Sequence, residues 1–164
     1  EVHEMTKTGY SWQRPNRRFF PKHHLPSAFT QGPVEATVYV DISASVTDEQ
    51  FKIFISEIAG AMRTFNLRSV TIVQFDTEIH HIDKVKNFRD LSKVQFHGRG
   101  GTHIECILQH MEKTRPQLAM VFTDGGFYWP RERFMHRILW LINDNPEWKA
   151  KYGRAIHFST QRRK

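Results

Sequence analysis

The 164-residue chain carries a formal net charge of +7, with 39% hydrophobic and 13% aromatic residues, enough for one domain with a sizeable core and too apolar for a disordered chain. No apolar run approaches the roughly 20 residues of a membrane helix, and the opening EVHEMTKTGYSW has no apolar signal-peptide core. Cys106 is the only cysteine, which excludes an internal disulfide and favours a reducing, cytoplasmic setting.

The first residue is Glu rather than Met, so a fragment or a processed chain is expected. Charge is unevenly placed: +3 over residues 1–33, −2 over 34–128 and +6 over 129–164. Basic ends serve nucleic acid or acidic protein surfaces, or simply form solvated flanks. Residues 1–33 hold Pro15, Pro21, Pro26 and Pro33 among Arg, His and aromatic residues. Prolines at that density forbid a long helix. Because Trp12, Phe19, Phe20 and Leu25 are large and apolar, the segment reads as an irregular arm packed on a domain that spans 34–164.

From Val34 the run VEATVYV is apolar and largely β-branched or aromatic, as in a buried strand, and it ends on Asp41. Thr47 and Gln50 then form the hydroxyl–glutamine pair of a capping box. Phe51, Phe54, Ile55, Ile58, Met62 and Phe65 recur at helical spacing, which predicts an amphipathic helix over about 47–65. SVTIVQF, 69–75, is a second buried strand. TEIHHIDKV follows after Asp76 alone, so it is expected as an antiparallel edge strand. The adjacent His80 and His81 then point to opposite faces and read as edge features rather than as a metal pair.

A glycine-rich loop, FHGRGGT over 96–102, precedes a helix expected from about His103 to Lys113. QLAMVFT, 117–123, is a third buried strand and again ends on an acid, Asp124, followed by Gly125 and Gly126. RILWLI, 137–142, and RAIHFS, 154–159, are later strands, separated by the breaker Asp144-Asn145-Pro146. Strands alternating with helices indicate a mostly parallel sheet with helices on both faces, a three-layer α/β/α Rossmann-like architecture.

Loops after parallel strands gather at the carboxyl edge of the sheet. Asp41, Ser43 and Ser45, then Thr102, then Asp124 are therefore expected to converge there. Each of these alone suits a turn or helix cap; together they offer hard oxygen donors for Mg²⁺, Mn²⁺ or Ca²⁺, with Mg²⁺ favoured by the small charge count. The phosphate-loop pattern Gly-x-x-x-x-Gly-Lys-Ser/Thr is absent. His103, Glu105 and His110 do not share one helix face, which argues against zinc. Cys106 has no base arranged with it, and Asp76 reads as a turn residue that could join the rim of the site.

Asp-x-Ser-x-Ser, Gly-Gly-Thr and Thr-Asp-Gly, in that order, resemble the metal-ion-dependent adhesion site of von Willebrand factor A (VWA) domains over residues 34–159. The arm, with Ser11-Trp12-Gln13-Arg14-Pro15-Asn16-Arg17-Arg18 and Leu25-Pro26-Ser27, is similar to the bacterial and phage VWA-like branch. In that branch the domain commonly follows a metallopeptidase-like domain. The resemblance implies that Ser43 and Ser45 coordinate the ion directly, with Thr102 direct or through water. It implies that Asp41 and Asp124 act from behind, and that an acidic side chain of a partner protein fills the open position. His103, Asp76, Gly101 and Gly125 would form the rim. Two departures stand out: Ala44 where Gly is usual, and His103 where this branch more often has Asp.

These readings make the chain a metal-dependent protein-interaction module rather than an enzyme, since no general base or nucleophile is paired with the site. The alternatives are a nucleic-acid-binding accessory domain and, further off, a metal-assisted hydrolase. The first would use Arg14, Arg17, Arg18, Lys22, Trp12, Phe19 and Phe20 at one end, and Arg131, Arg133, Arg137, Arg162, Arg163 and Lys164 at the other. Oligomeric state is not legible.

Overall fold

The computed structural model describes residues 9–11, 27–29, 34–96, 100–133 and 136–159. In the arm, β1 (Gly9–Ser11) and β2 (Ser27–Phe29) pair antiparallel as a separate two-stranded sheet, where an irregular segment was expected. Neither short segment contains a proline, so both keep the amide donors that a ladder needs. The expected packing of Trp12, Phe19, Phe20 and Leu25 lies outside the described residues, as does the basic tail 160–164.

The main sheet comprises β3 (Val34–Asp41), β4 (Leu67–Phe75), β5 (Ile79–Val85), β6 (Leu118–Thr123), β7 (Ile138–Asn143) and β8 (Arg154–Phe158). Their spatial order is β5-β4-β3-β6-β7-β8, and every pairing is parallel except β4 with β5. This is the expected parallel sheet with one antiparallel edge strand. The chain moves outward from β3 through β4 to β5 and then returns to β6 on the other side of β3. The order therefore reverses between β3 and β6, where open α/β sheets bind ligands.

Helix α1 (Asp48–Thr64) starts with the reciprocal Thr47–Gln50 capping box and stops where Asn66 takes a positive φ of 49°. Helix α2 (Phe88–Leu91) is a single turn capped by Asn87, too short to leave a periodic signal in the sequence. Helix α3 (Glu105–Thr114) ends with Arg115 in the left-handed region.

Alternation along the strands splits the core into two faces. Val38 and Val40 of β3, Ile72 of β4 and Phe122 of β6 pack with Phe54 and Ile58 of α1 on one side. Tyr39, Val73 and Val121 pack with Ile107, Leu108 and Met111 of α3 on the other. Helices thus lie on both faces of the first half of the sheet. Beyond β6 the pattern changes: among the described residues the β6–β7 and β7–β8 connections contain no helix. Phe127, Trp129 and Trp148 from those loops pack on Trp140 of β7 instead. Each such ring buries about 150 to 250 Å². No helix among the described residues is long and apolar enough to cross a membrane.

Candidate metal centre at the carboxyl edge of the sheet

Asp41 is the last residue of β3 and is fully buried. Its Oδ1 accepts a hydrogen bond from the Ser43 amide at 2.9 Å, and its Oδ2 accepts one from the Thr123 hydroxyl at 2.6 Å. The Thr102 hydroxyl lies 3.4 Å from both carboxylate oxygens. Ser43 Oγ and Ser45 Oγ are 3.0 Å apart; Ser43, whose side chain also hydrogen-bonds to Asp41, is buried and Ser45 exposed. The sequence accounts for this local shape. The strand ends at an acid, small residues make the turn, and the Thr47 cap starts α1 before the chain can wander.

Asp124 follows β6 directly. Its Oδ1 accepts from the Gly126 amide at 2.9 Å, and the Asn145 side-chain amide donates to its main-chain oxygen at 2.9 Å. The Gly125 amide donates to Thr123 Oγ1 at 3.1 Å, so Thr123 links the two acidic loops. Thr123, fully buried, was not among the expected site residues, although it stands in the quoted Thr-Asp-Gly. Its signal was a hydroxyl closing a strand that is otherwise wholly apolar.

The electrostatics of the pocket are one-sided. Burial pushes the Asp41 carboxyl above its ordinary range, the Ser43 and Thr123 hydrogen bonds pull it back, and the charge of Asp124 raises it further. Among the described residues no ion pair reaches Asp41 or Asp124. A cation could supply such a counter-charge.

The donor set fits a small octahedral ion. Neighbouring ligands at metal–oxygen distances near 2.0 to 2.1 Å stand about 2.9 Å apart, close to the 3.0 Å between Ser43 Oγ and Ser45 Oγ. Hydroxyls and carboxylates without thiolate or imidazole match Mg²⁺, Mn²⁺ or Ca²⁺. No group of three His, Cys, Asp or Glu side chains able to hold a metal occurs among the described residues, so an ion here would depend on the hydroxyl donors.

The remaining rim residues divide. Gly101 is exposed. Gly125 has φ +79°, and a Cβ there would run into the Trp148 ring, so the glycine joins the site to the aromatic layer. His103 presents an exposed side chain, and its amide donates to the Asp76 carbonyl at 2.8 Å. Asp76 is not the simple turn residue expected: it is 4% exposed, and its carboxylate lies in a separate network with His80. His110, one of the discarded zinc candidates, is hydrogen-bonded through Nδ1 to the Tyr39 hydroxyl at 2.8 Å. Burial pushes the Cys106 thiol up to about 11, so it is no thiolate nucleophile at neutral pH.

The profile of the "VWA-like domain (DUF2201)" family matches residues 36–159. The chain belongs to that family. Domains of this kind generally mediate protein interactions. The crystal structure of an aerotolerance-related membrane protein from Bacteroides fragilis NCTC 9343, with multiple mutations to serines, is similar at TM-score 0.51 and 16% identity, over 66% of this chain and 67% of that one. The ArnB paralog VWA2 from Sulfolobus acidocaldarius gives TM-score 0.47 and 12% identity, over 72% of this chain and 38% of that one. This chain therefore matches well under half of the second protein. Comparison with curated protein sequences gave no match. The family profile and the first structure agree with the doubly wound architecture described above.

Proposed function

We propose that this VWA-like domain is a metal-dependent protein-interaction module in which a divalent ion, Mg²⁺ foremost, bridges to a carboxylate of a partner protein. The observation that carries this reading is the convergence of Asp41, Ser43, Ser45 and Thr102 at the β3–β6 reversal, with 3.0 Å between the two serine hydroxyls. Ser43, Ser45 and Thr102 would hold the ion; Asp41 and Asp124 would orient those hydroxyls and the ion's waters. The bound ion supplies a Lewis-acid position for an anionic oxygen. Among the described residues, the hydroxyls of the site are hydrogen-bonded to one another or to Asp41 rather than to an imidazole base, an arrangement that suits holding a ligand rather than turning one over.

Neutral hydroxyl donors leave the ion under-neutralised, which favours an incoming carboxylate and predicts modest affinity for the ion alone. Calorimetry with Mn²⁺ on wild type and on Asp124→Ala tests the site. A loss of about 10- to 100-fold in the variant is expected from removal of a supporting carboxylate; equal affinity, or no binding by wild type, refutes the reading. A pull-down from lysate with and without chelator then tests the bridge: a carboxylate-bridged partner is retained only with the ion present.

A further inference from the structure

Asp76 and His80 lie beside the candidate metal centre and outside its ligand set. Asp76 follows β4, and its carboxylate accepts hydrogen bonds on both oxygens. The Thr77 amide and the His80 Nε2–H, the latter at 2.6 Å, reach Oδ1, as does the Glu78 amide at 3.3 Å. The Gly100 amide reaches Oδ2 at 3.1 Å. The backbone of the same residue accepts the His103 amide at 2.8 Å. One residue therefore holds both ends of the segment 100–103, and Thr102 lies between those ends.

The chain of contacts continues into the first metal loop. The Gly100 carbonyl accepts the Ala44 amide at 3.2 Å, between Ser43 and Ser45. A Cβ on Gly100 would meet Asp76 Oδ2 at 2.6 Å, so glycine is what allows the carboxylate to approach the loop backbone. Among the described residues of the glycine-rich loop, the attachment to Asp76 runs through backbone groups. The loop's placement depends on an acid that is remote in sequence and on the imidazole that orients that acid.

We infer that Asp76 and His80 are positioning residues that clamp the Thr102 loop to the Asp41-Ser43-Ser45 loop and so preorganise the donor set before an ion arrives. This rests on the metal-site reading for its functional meaning, but the clamp itself is a property of the metal-free chain. The two can fail separately. A loose loop would have to be ordered on binding, at a cost in affinity, whereas a tethered one presents Thr102 beside Asp41 in advance.

The experiment uses the full chain without metal, followed by amide hydrogen exchange at Gly100 and His103, and then with Mn²⁺. In Asp76→Asn, an amide group faces the Gly100 N–H or the His80 Nε2–H in place of an acceptor. Exchange at Gly100 and His103 should quicken at least tenfold while amides of β3 and β6 keep their protection. Mn²⁺ affinity should fall about tenfold or more. His80 is partly exposed, so His80→Ala is expected to fold even if Asp76→Asn does not. It should loosen the same two amides, and His80→Gln, which restores a donor, should tighten them again. Unchanged exchange at Gly100 and His103 in His80→Ala and, where it folds, in Asp76→Asn overturns the clamp, whether or not wild type binds Mn²⁺. Faster exchange with wild-type-like Mn²⁺ affinity overturns its positioning role. A wild type that binds no Mn²⁺ refutes the metal-site reading, and with it that role, while the exchange readout still decides the clamp.

Discussion

The two halves of the sheet bury their surfaces by different means. From β3 to α3 the chain alternates strand and helix, and its carboxyl-edge loops are held by side-chain hydrogen bonds: Asp41 to Thr123, Asp76 to His80 and Gly100. From β6 to β8 the connectors carry no helix among the described residues, and rings meet edge to face or tilted: Trp140 lies 5.2 Å from Trp129 and 5.6 Å from Trp148. The Trp140 indole N–H finds its partner in the Tyr152 carbonyl at 2.7 Å, as a buried indole must. The first half gathers polar groups at the carboxyl edge; the second covers the sheet with aromatic rings. Gly125 marks the seam, since its backbone touches Trp148 one residue after Asp124.

That contrast makes opposite demands on substitutions. The largest effect is expected at Trp140→Ala, which removes the centre of the aromatic layer. A cost of about 3 to 5 kcal/mol corresponds to a fall in Tm on the order of 10 °C for a chain of this size, read by thermal denaturation. A shift below a degree would break the comparison, because the rings would then be decoration on a sheet that stands without them.

Asp41→Asn should behave in the reverse sense. Burial disfavours the ionised acid, and Asn keeps the shape without the charge. Metal-free stability should therefore be unchanged or slightly raised while Mn²⁺ binding is lost. A variant that melts early in chelator would show that the carboxylate serves the fold first and the site second.

A smaller effect belongs to α1 in the first half. Burial raises Glu57 from 4.5 to about 7, so the folded state holds that proton more tightly than the unfolded chain does. The associated stability is full below about pH 4.5, declines as pH rises, and is gone above about 7. Glu57 is partly exposed, which reduces the effect to about 1 to 2 kcal/mol. Chemical denaturation between pH 4.5 and 7.5 should show this decline in wild type and a flatter profile in Glu57→Gln.

The smallest effect is expected at Tyr128, which is 92% exposed in the loop that starts at Asp124. Tyr128→Ala should alter stability by less than about 0.5 kcal/mol. A larger loss on denaturation would mean that this loop belongs to the buried layer after all.

Much of the architecture was readable from residues alone because its signals are local. Asp41 closing VEATVYVD, the Thr47–Gln50 box and the apolar runs of β4, β6 and β7 each report on a neighbourhood a few residues wide. The candidate donors Asp41, Ser43, Ser45 and Asp124 were readable for a related reason, since motifs at the ends of parallel strands gather at one edge; Thr102 precedes α3 and follows no parallel strand, so its place came from the motif alone. The lack of helices after β6 among the described residues was less legible. RILWLI and RAIHFS announce strands, but nothing nearby says that Trp129 and Trp148, from different loops, will cover Trp140. The roles of Thr123 and His80 were missed because a hydroxyl or an imidazole acquires a partner only when distant segments meet.

What the residues determined by themselves was the order and approximate bounds of β3 to β8, α1 and α3, and which oxygen-bearing side chains stand at the ends of the parallel strands. Those follow from backbone preference, capping and alternation, which act over a few positions along the chain. What only the tertiary structure decided was how the edge is held together. The contacts Asp41–Thr123 and Asp76–Gly100 span 82 and 24 positions. Hydrogen bonds and desolvation act across ångströms of space, and a linear pattern carries no measure of that distance.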